Sequence, residues 1–348
     1  EYNDGIALQP VLKDGALWGL PALTDATNGV PLVYIRKDWM EKVGASVPQT
    51  MEELFDLART FKEQDPGDKG KALVPIAFPN DLKISFQAIM NAFGVYPGIF
   101  IEGESGHLSY GSIDPKAGEI LQIINGLYEE GLIDPEFAVK DGNRVAESIA
   151  SGTVGIYFGE FWNPLWPLHY TVQNDQNAEW SVFSVPPSEG NPVVKPYAPL
   201  NVQGYHVVKD GYEHPEALIV LLNHYAEQWF SDNPSPFVTE WVQTMSQEKY
   251  KNAMIHSWLP FQLDRPDKNL AYSKNLMKAL DAGDIELLET EAERTLFNQI
   301  STGGIDNWPW EKIYLESIPA LGEYPEFTYN GYLGSPTKTM IRRGGVLA

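Results

Sequence analysis

The sequence predicts an α/β fold, and three observations support this prediction. Strand-like and helix-like segments alternate from Val30 to Trp180, which is the order that produces a layered sheet with mostly crossover connections. A chain of 348 residues is long enough for two domains of roughly 100 to 200 residues each. Prolines 186, 187, 192, 196 and 199 interrupt the segment 185–200, and because proline breaks a helix this segment is expected to be a loop or a hinge approach.

The individual elements follow from capping residues and apolar spacing. Residues 1–23 are expected to form a loop and a short strand, with a hinge near Pro21. Thr50 and Glu53 form a capping box ahead of apolar residues at helical spacing, which predicts an amphipathic helix. Asp114 and Pro115 start another, because aspartate caps helices and proline is tolerated in the first turn. The predicted strands are 30–35, 74–78 and 154–158, the predicted loop is 94–106, and the predicted helices are 38–43, 51–64, 82–93, 115–130, 145–150, 214–230, 239–256, 272–280 and 285–300.

Composition excludes several classes of function. The chain has 25 basic and 47 acidic residues, a net charge of −22, and such a surface repels the phosphates of nucleic acid. There is no cysteine, which excludes disulfides, thiol catalysis and zinc-thiolate sites. No apolar run reaches the roughly 18 residues that a membrane span requires.

Aromatic residues are the first candidate binding groups. The segment 154–166 reads VGIYFGEFWNPLW, a strand followed by Phe161, Trp162 and Trp166, and these side chains are expected to form a flat wall suited to sugar rings. Each could instead pack in the core, which is the commoner role of a single aromatic. Further aromatics at strand ends or in loops are Trp18, Tyr34, Tyr205, Trp308 and Trp310, and the last two are expected in a loop.

Polar residues beside these aromatics could bind hydroxyl groups. Arg36 could pair with a uronate carboxylate or with Asp38, and the short spacing favours Asp38. Glu160 could accept hydrogen bonds from a ligand or act as a catalytic acid. The remaining polar candidates, for which ordinary loop polarity is the alternative, are Asn28, Asn163, Asn201, Gln203, His206, Asp306 and Asn307.

Several segments together resemble a known family. Residues 15–21, 31–39 and 48–54 read GALWGLP, PLVYIRKDW and PQTMEEL, residues 204–222 read GYHVVKDGYEHPEALIVLL, and residues 332–340 read YLGSPTKTM. In this order, and with the aromatic segment between them, they are similar to the extracellular solute-binding proteins of ATP-driven sugar importers. The likeness is strongest to the large oligosaccharide-binding lipoproteins of Gram-positive bacteria.

This resemblance implies a two-lobed fold of the periplasmic-binding type II class. Residues 24–200 would form the second lobe, while residues 1–23 and 201–348 would supply hinge strands, the remaining part of the first lobe and carboxyl-terminal helices. The implied function is capture of an oligosaccharide in the cleft between the lobes, outside the membrane, without catalysis or a cofactor. The implied ligand-binding residues are Trp18, Asn28, Tyr34, Arg36, Glu160, Phe161, Trp162, Trp166, Gln203, Tyr205 and Trp308.

The resemblance also implies partners and a location. The sugar would pass to ABC permease subunits served by a cytosolic ATPase, and the protein would be a monomeric cell-surface lipoprotein whose lipid anchor precedes residue 1. Nothing in the sequence corresponds to the family segment before the hinge strand. If the molecule lacks that segment, we expect an incomplete first lobe, an exposed apolar sheet face there and weak binding.

Relatives in this family carry a calcium loop where this chain has DPGDKGKAL, residues 65–73. Asp65 and Gly70 are retained, but Gly67 and Lys69 replace oxygen ligands and Leu73 replaces an acidic one. Calcium requires about six or more oxygens. The sequence therefore predicts a turn that binds no metal.

Two other classes of protein remain as alternatives. One is a secreted glycoside hydrolase or lyase that uses Glu160 and a second carboxylate, although the HExxH, GxSxG and GxGxxG patterns are absent. The other is a carbohydrate-binding module of a larger enzyme. The segments that cross between the lobes argue against a module, because such modules are mostly compact all-β units.

Overall fold

The computed structural model describes residues 8, 11–23, 25, 27–81, 83–102, 107–196, 202–229, 268–288, 291–301 and 309–324. Its strands are β1 (Leu12–Lys13), β2 (Ala16–Leu17), β3 (Leu20–Leu23), β4 (Leu32–Arg36), β5 (Val74–Ala77), β6 (Phe100–Glu102), β7 (Leu108–Tyr110), β8 (Val154–Gly159), β9 (Trp180–Ser184) and β10 (Val202–His206). Its helices are α1 (Lys37–Val43), α2 (Met51–Gln64), α3 (Ile84–Ala92), α4 (Pro115–Glu129), α5 (Gly142–Ala150), α6 (His169–Asn174), α7 (Ala217–Trp229), α8 (Lys268–Ala282), α9 (Glu291–Ser301) and α10 (Pro309–Gly322).

A four-stranded sheet in the order β5-β8-β4-β9 forms the centre of the molecule. Strand β5 is parallel to β8, while β4 is antiparallel to both β8 and β9. Strands β5, β8 and β9 therefore run in one direction and end at one edge of the sheet, where β4 begins. The connections from β5 to β8 and from β8 to β9 join parallel strands, so they are crossovers, as the alternating pattern predicts.

The sheet is covered by helices that share one apolar core. In this core Trp39 and Phe61 meet edge to face with ring centroids 5.5 Å apart. Ile318 and Leu321 of α10 belong to the same buried cluster as the residues of β4 and β8. The Tyr324 hydroxyl accepts a hydrogen bond from the Val185 backbone N–H at 3.0 Å. The last described helix is thus part of the packing around the central sheet.

A separate two-stranded ladder contains the predicted hinge. Strands β3 and β10 pair antiparallel, with Tyr205 opposite Pro21. Several apolar side chains near this ladder are exposed, among them Trp18 at 69% and Val207 at 68%. The lobe boundaries given above stay a prediction.

Most of the predicted elements that lie in the described residues are confirmed. Helix α2 has the predicted bounds, because the Thr50 hydroxyl accepts a hydrogen bond from the Glu53 backbone N–H at its start. Helix α4 starts at Pro115 behind Asp114, whose carboxylate accepts from a backbone N–H of the first turn. Gly131 follows this helix with φ +68°, the left-handed conformation that glycine adopts most readily.

Three predictions were wrong, each for a local reason. The expected loop 94–106 contains β6, which pairs with β7 as a hairpin. The expected helix 285–300 is divided into a 3₁₀ turn, Ile285–Leu287, and helix α9, because Leu288 after the turn is extended, with φ −97° and ψ 136°. Trp310 belongs to α10, which starts at Pro309. The predicted helix 239–256 lies outside the described residues.

In the segment similar to a calcium loop, the first aspartate binds backbone N–H groups of the same segment. Asp65 has φ +44°, and its carboxylate accepts from the backbone N–H groups of Lys69 at 2.8 Å and Gly70 at 2.7 Å. Within the ranges described above, no group of three or more acidic or histidine side chains is placed to hold a metal ion. Over the same ranges, every helix is too short or too polar to cross a bilayer.

Candidate functional site

A cavity of about 560 Å³ opens at the edge of the sheet where β5 and β8 end. Its polar side chains are those of Asp81, Lys83, Gln87 and Glu160, and its other lining residues are Gly29, Ile84, Phe86 and Pro97. A volume of this size accommodates a small ligand. The mixture of charged, amide and apolar groups suits a ligand that has hydroxyl edges and apolar faces.

The chain topology explains why these residues meet. Glu160 directly follows β8, and Asp81 lies between β5 and α3. Because β5 and β8 are parallel, their carboxyl ends lie side by side, which is where α/β sheets generally bind ligands. Gly29 precedes β4 at the same edge with φ +97°, and a Cβ atom there would lie 3.9 Å from Glu160 Oε1. The backbone conformation is what favours glycine at this position, because a Cβ at that distance would make only an ordinary van der Waals contact.

Glu160 is the least exposed of the three charged residues that line the cavity. Burial raises the pKa of Glu160 above its usual range, and the negative charge of Asp81 acts in the same direction. The Gly29 backbone N–H, the Lys83 ammonium and the Trp162 indole oppose this shift by favouring the charged form. A buried carboxylate contacted by donors is a strong hydrogen-bond acceptor.

The loop that follows β8 is held by side chains from distant parts of the chain. The Tyr34 hydroxyl donates to the Glu160 carbonyl at 2.8 Å. Asn163 is only 2% exposed; its Oδ1 accepts from the Glu160 backbone N–H, and its Nδ2 donates to the Trp166 carbonyl at 3.0 Å. The Ser317 hydroxyl of α10 donates to the Phe161 carbonyl at 2.6 Å. These bonds fix the backbone on both sides of Glu160.

Two tryptophans of this loop lie next to each other. The rings of Trp162 and Trp166 are stacked, with centroids 6.4 Å apart and an angle of 19° between their planes. Trp166 is 37% exposed, and Trp162 is partly buried against the core. The Trp162 indole also contacts the carboxylate of Glu160, which is one of the residues that line the cavity.

Three of the predicted ligand-binding residues are buried instead. Phe161 points into the core and packs against Tyr314, with ring centroids 6.2 Å apart. Tyr34 is fully buried, and its hydroxyl donates to the Glu160 carbonyl in the loop after β8. Arg36 is 2% exposed and pairs with both carboxylate oxygens of Asp38 at 2.8 Å. The structure thus places these three side chains in the interior, away from the cavity lining, and a role for them in ligand binding stays a prediction. The internal ion pair that the spacing favoured for Arg36 is confirmed.

The other predicted residues are spread over the molecule. Trp18 and Tyr205 are exposed near the hinge ladder, Tyr205 at 50%. Asn28 is partly exposed in the turn before β4, next to Gly29. Gln203 lies on β10, and Trp308 lies outside the described residues. The site residues that the structure brings together are thus Glu160, Trp162 and Trp166, and their role in binding stays a prediction.

Asp81, Lys83 and Gln87 were missed by sequence reasoning. They lie around the start of α3, after β5. The signal that could have found them is positional, because the carboxyl ends of parallel strands share an edge. The sequence alone does not reveal that β5 is the neighbour of β8, since β8 is 80 residues further along the chain.

Comparison with known proteins identifies the class. The family of bacterial extracellular solute-binding proteins matches residues 4–252, which is more than half of the chain, so the chain belongs to this family. The fold agrees with this assignment. It is similar to that of a solute-binding protein from Bifidobacterium longum infantis, described as HMO-binding and associated with an ABC transporter, with a TM-score of 0.55 and 14% identity over 91% of this chain and 77% of that one.

Two curated relatives have related sequences. The fructooligosaccharide ABC transporter substrate-binding protein FusA of Streptococcus pneumoniae is 26% identical over 156 residues, which is 42% of this chain and 29% of that protein. The polygalacturonan/rhamnogalacturonan-binding protein YtcQ of Bacillus subtilis is 26% identical over 152 residues, 43% of this chain and 30% of that protein. The aligned region therefore spans under a third of the length of these relatives.

Proposed function

We propose that this protein captures an oligosaccharide outside the membrane and delivers it intact to an ABC permease. Its family and its fold support this proposal, and so do the names of two relatives, one of which binds fructooligosaccharides and the other polygalacturonan. The observation that carries it is the cavity at the carboxyl ends of β5 and β8, whose Glu160 is contacted by Trp162 of the stacked tryptophan pair. Stacking on a sugar ring and hydrogen bonds from its hydroxyls would both be available there.

The proposal extends to the setting of the protein. It would act as a monomer attached to the cell surface through a lipid anchor, with the permease as its membrane partner. Ligand would favour a closed arrangement of the lobes by binding that arrangement more tightly than the open one. No chemical step is needed for this cycle.

The competing function is glycoside hydrolysis, and one observation favours it. Glu160 and Asp81 line the same cavity, and burial raises the pKa of Glu160. A carboxyl group with a raised pKa beside a second carboxylate is the arrangement that glycosidases use. Membership in a family of binding proteins supports the binding role instead.

A fluorescence titration separates the two functions. The ten tryptophans would report the addition of fructo-, gluco-, galacto- and uronate oligosaccharides, and each mixture would be analysed by chromatography after one day. Saturable binding with the sugar recovered intact supports the proposal. Shortened or unsaturated products refute it and establish an enzyme.

Variants locate the binding surface. Trp162→Ala and Trp166→Ala should each weaken binding about tenfold or more, because stacking on an aromatic contributes roughly 1 to 3 kcal/mol. Tyr212→Ala is the matched control, since this aromatic is 55% exposed in the segment between β10 and α7. An equal loss of binding affinity in all three variants would contradict the placement of the ligand beside the two tryptophans.

A further inference from the structure

The charges around the cavity are unbalanced. Asp81 and Glu160 contribute two carboxylates, and Lys83 is the one cation among the described lining residues. Asp81 repels the charge of Glu160, and Lys83 attracts it. A further carboxylate entering the cavity would therefore meet two like charges in a partly desolvated place, where such repulsion is strong.

The arginine that could have neutralised an acidic ligand is not available. Arg36 pairs with Asp38 through two nitrogens and lies between the rings of Trp39 at 4.7 Å and Trp180 at 5.8 Å. It also sits at the carboxyl end of β4, whereas the cavity lies at the edge where β4 begins. Arg36 is therefore not placed to bind a uronate carboxylate through two parallel hydrogen bonds.

The polar groups that remain are suited to hydroxyls. In its ionised form the Glu160 carboxylate only accepts hydrogen bonds, so its ligand partner must then be a donor. Gln87 also lines the cavity, and the amide group of a glutamine can donate to a ligand oxygen. A hydroxyl can donate to Glu160 and accept from Gln87, whereas an ionised uronate carboxylate has no proton to donate.

From this arrangement we infer that the cavity selects neutral saccharides and rejects uronates, and that Glu160 makes the distinction. This inference rests on the proposed function, because it names the class of sugar that the same site takes. It also separates this chain from its relative YtcQ, whose name states that it binds polygalacturonan and rhamnogalacturonan.

Matched sugars test the inference directly. Isothermal titration at pH 7.5 would compare α-1,4-galactotriose with α-1,4-trigalacturonate, cellotriose with cellotriouronate, and β-1,4-mannotriose with β-1,4-trimannuronate. Each pair differs only in its three hydroxymethyl groups, one on each ring, which are replaced by carboxylates. For any backbone that binds, the neutral member should bind at least tenfold more tightly in 20 mM salt. The ratio of the two affinities should become smaller in 500 mM salt, because salt screens the repulsion between the carboxylates of the ligand and those of the cavity.

Charge-neutral variants identify the residue responsible. Glu160→Gln keeps the size of the side chain and should reduce the preference for the neutral sugar by tenfold or more. The matched control is Glu179→Gln, an exposed carboxylate paired with Lys37 at the opposite edge of the sheet, where the preference should not change. Asp81→Asn is a second cavity variant and should reduce the preference in the same direction, and thermal melting confirms that each variant is folded.

The outcomes separate the inference from the proposed function. Uronates that bind as tightly as their neutral partners, or more tightly, overturn the inference and leave the proposed function standing. An equal loss of preference in Glu179→Gln also overturns it, because the net charge of −22 would then explain the effect. The absence of binding by every sugar refutes the proposed function and the inference with it.

Discussion

Asn163 is expected to hold the candidate site together although it does not line the cavity. Replacement by alanine removes the acceptor of the Glu160 N–H and the donor to the Trp166 carbonyl, which is 3.0 Å from Nδ2. A buried polar group left without its partner costs about 1 to 3 kcal/mol. Asn163 is 2% exposed, so the two lost bonds together should lower the free energy of unfolding by about 2 to 4 kcal/mol.

Urea denaturation followed by tryptophan fluorescence measures this loss. The matched control is Asn174→Ala, because Asn174 makes one side-chain bond, to the Ala150 carbonyl at 2.8 Å, near the surface; its loss should cost about 1 kcal/mol or less. Asn163→Asp adds a finer test, since it keeps the bond from Glu160 but places an acceptor against the Trp166 carbonyl. It should be at least as destabilising as alanine. A cost for Asn163→Ala no larger than the control would refute the reasoning.

Three further predictions concern the scaffold. Arg36→Lys cannot keep two parallel bonds to a carboxylate and should cost about 2 to 4 kcal/mol in urea denaturation; a cost below about 1 kcal/mol would contradict the buried pair. Gly111→Ala places a Cβ 1.9 Å from a backbone carbonyl oxygen and should lower the melting temperature, whereas Gly118→Ala in α4, with open space around it, should not. The Arg59 guanidinium lowers the pKa of Glu130, so this exposed pair stabilises the fold above the unfolded pKa of about 4.3. This contribution, under about 1 kcal/mol, should be lost as the pH falls from that value through the lower pKa of the folded state. Arg59→Gln should remove this part of the pH dependence of the free energy of unfolding, measured by urea titration. An unchanged pH dependence in this variant would contradict the reasoning.

Local signals in the sequence were sufficient for most helices and strands. Thr50 and Glu53 determined where α2 begins, and Asp114 determined the start of α4, because a capping side chain acts within three residues of itself. The break before α9 was missed because apolar residues at helical spacing lie on both sides of it, and the spacing was given too much weight. The chain leaves the helical conformation at Leu288, with φ −97° and ψ 136°, although leucine is a good helix former.

The orientation of side chains in the site could not be predicted in the same way. Phe161 and Trp162 are neighbours with similar chemistry, yet the first is buried in the core and the second contacts the Glu160 carboxylate. The difference is set by α10, whose Tyr314 and Ser317 contact Phe161 and its carbonyl. Those residues are about 150 positions further along the chain, at a distance that no local pattern encodes.

The way Glu160 is held has a consequence for how binding energy arises. Tyr34 binds its carbonyl and Asn163 its N–H, so the backbone that carries the carboxylate is fixed before a ligand arrives. A group that is already ordered loses little conformational entropy on binding, and more of its contact energy appears as affinity. Variants of the anchors should therefore weaken ligand binding without removing any ligand contact. The specificity of the cavity then depends as much on residues of the core as on those that line it.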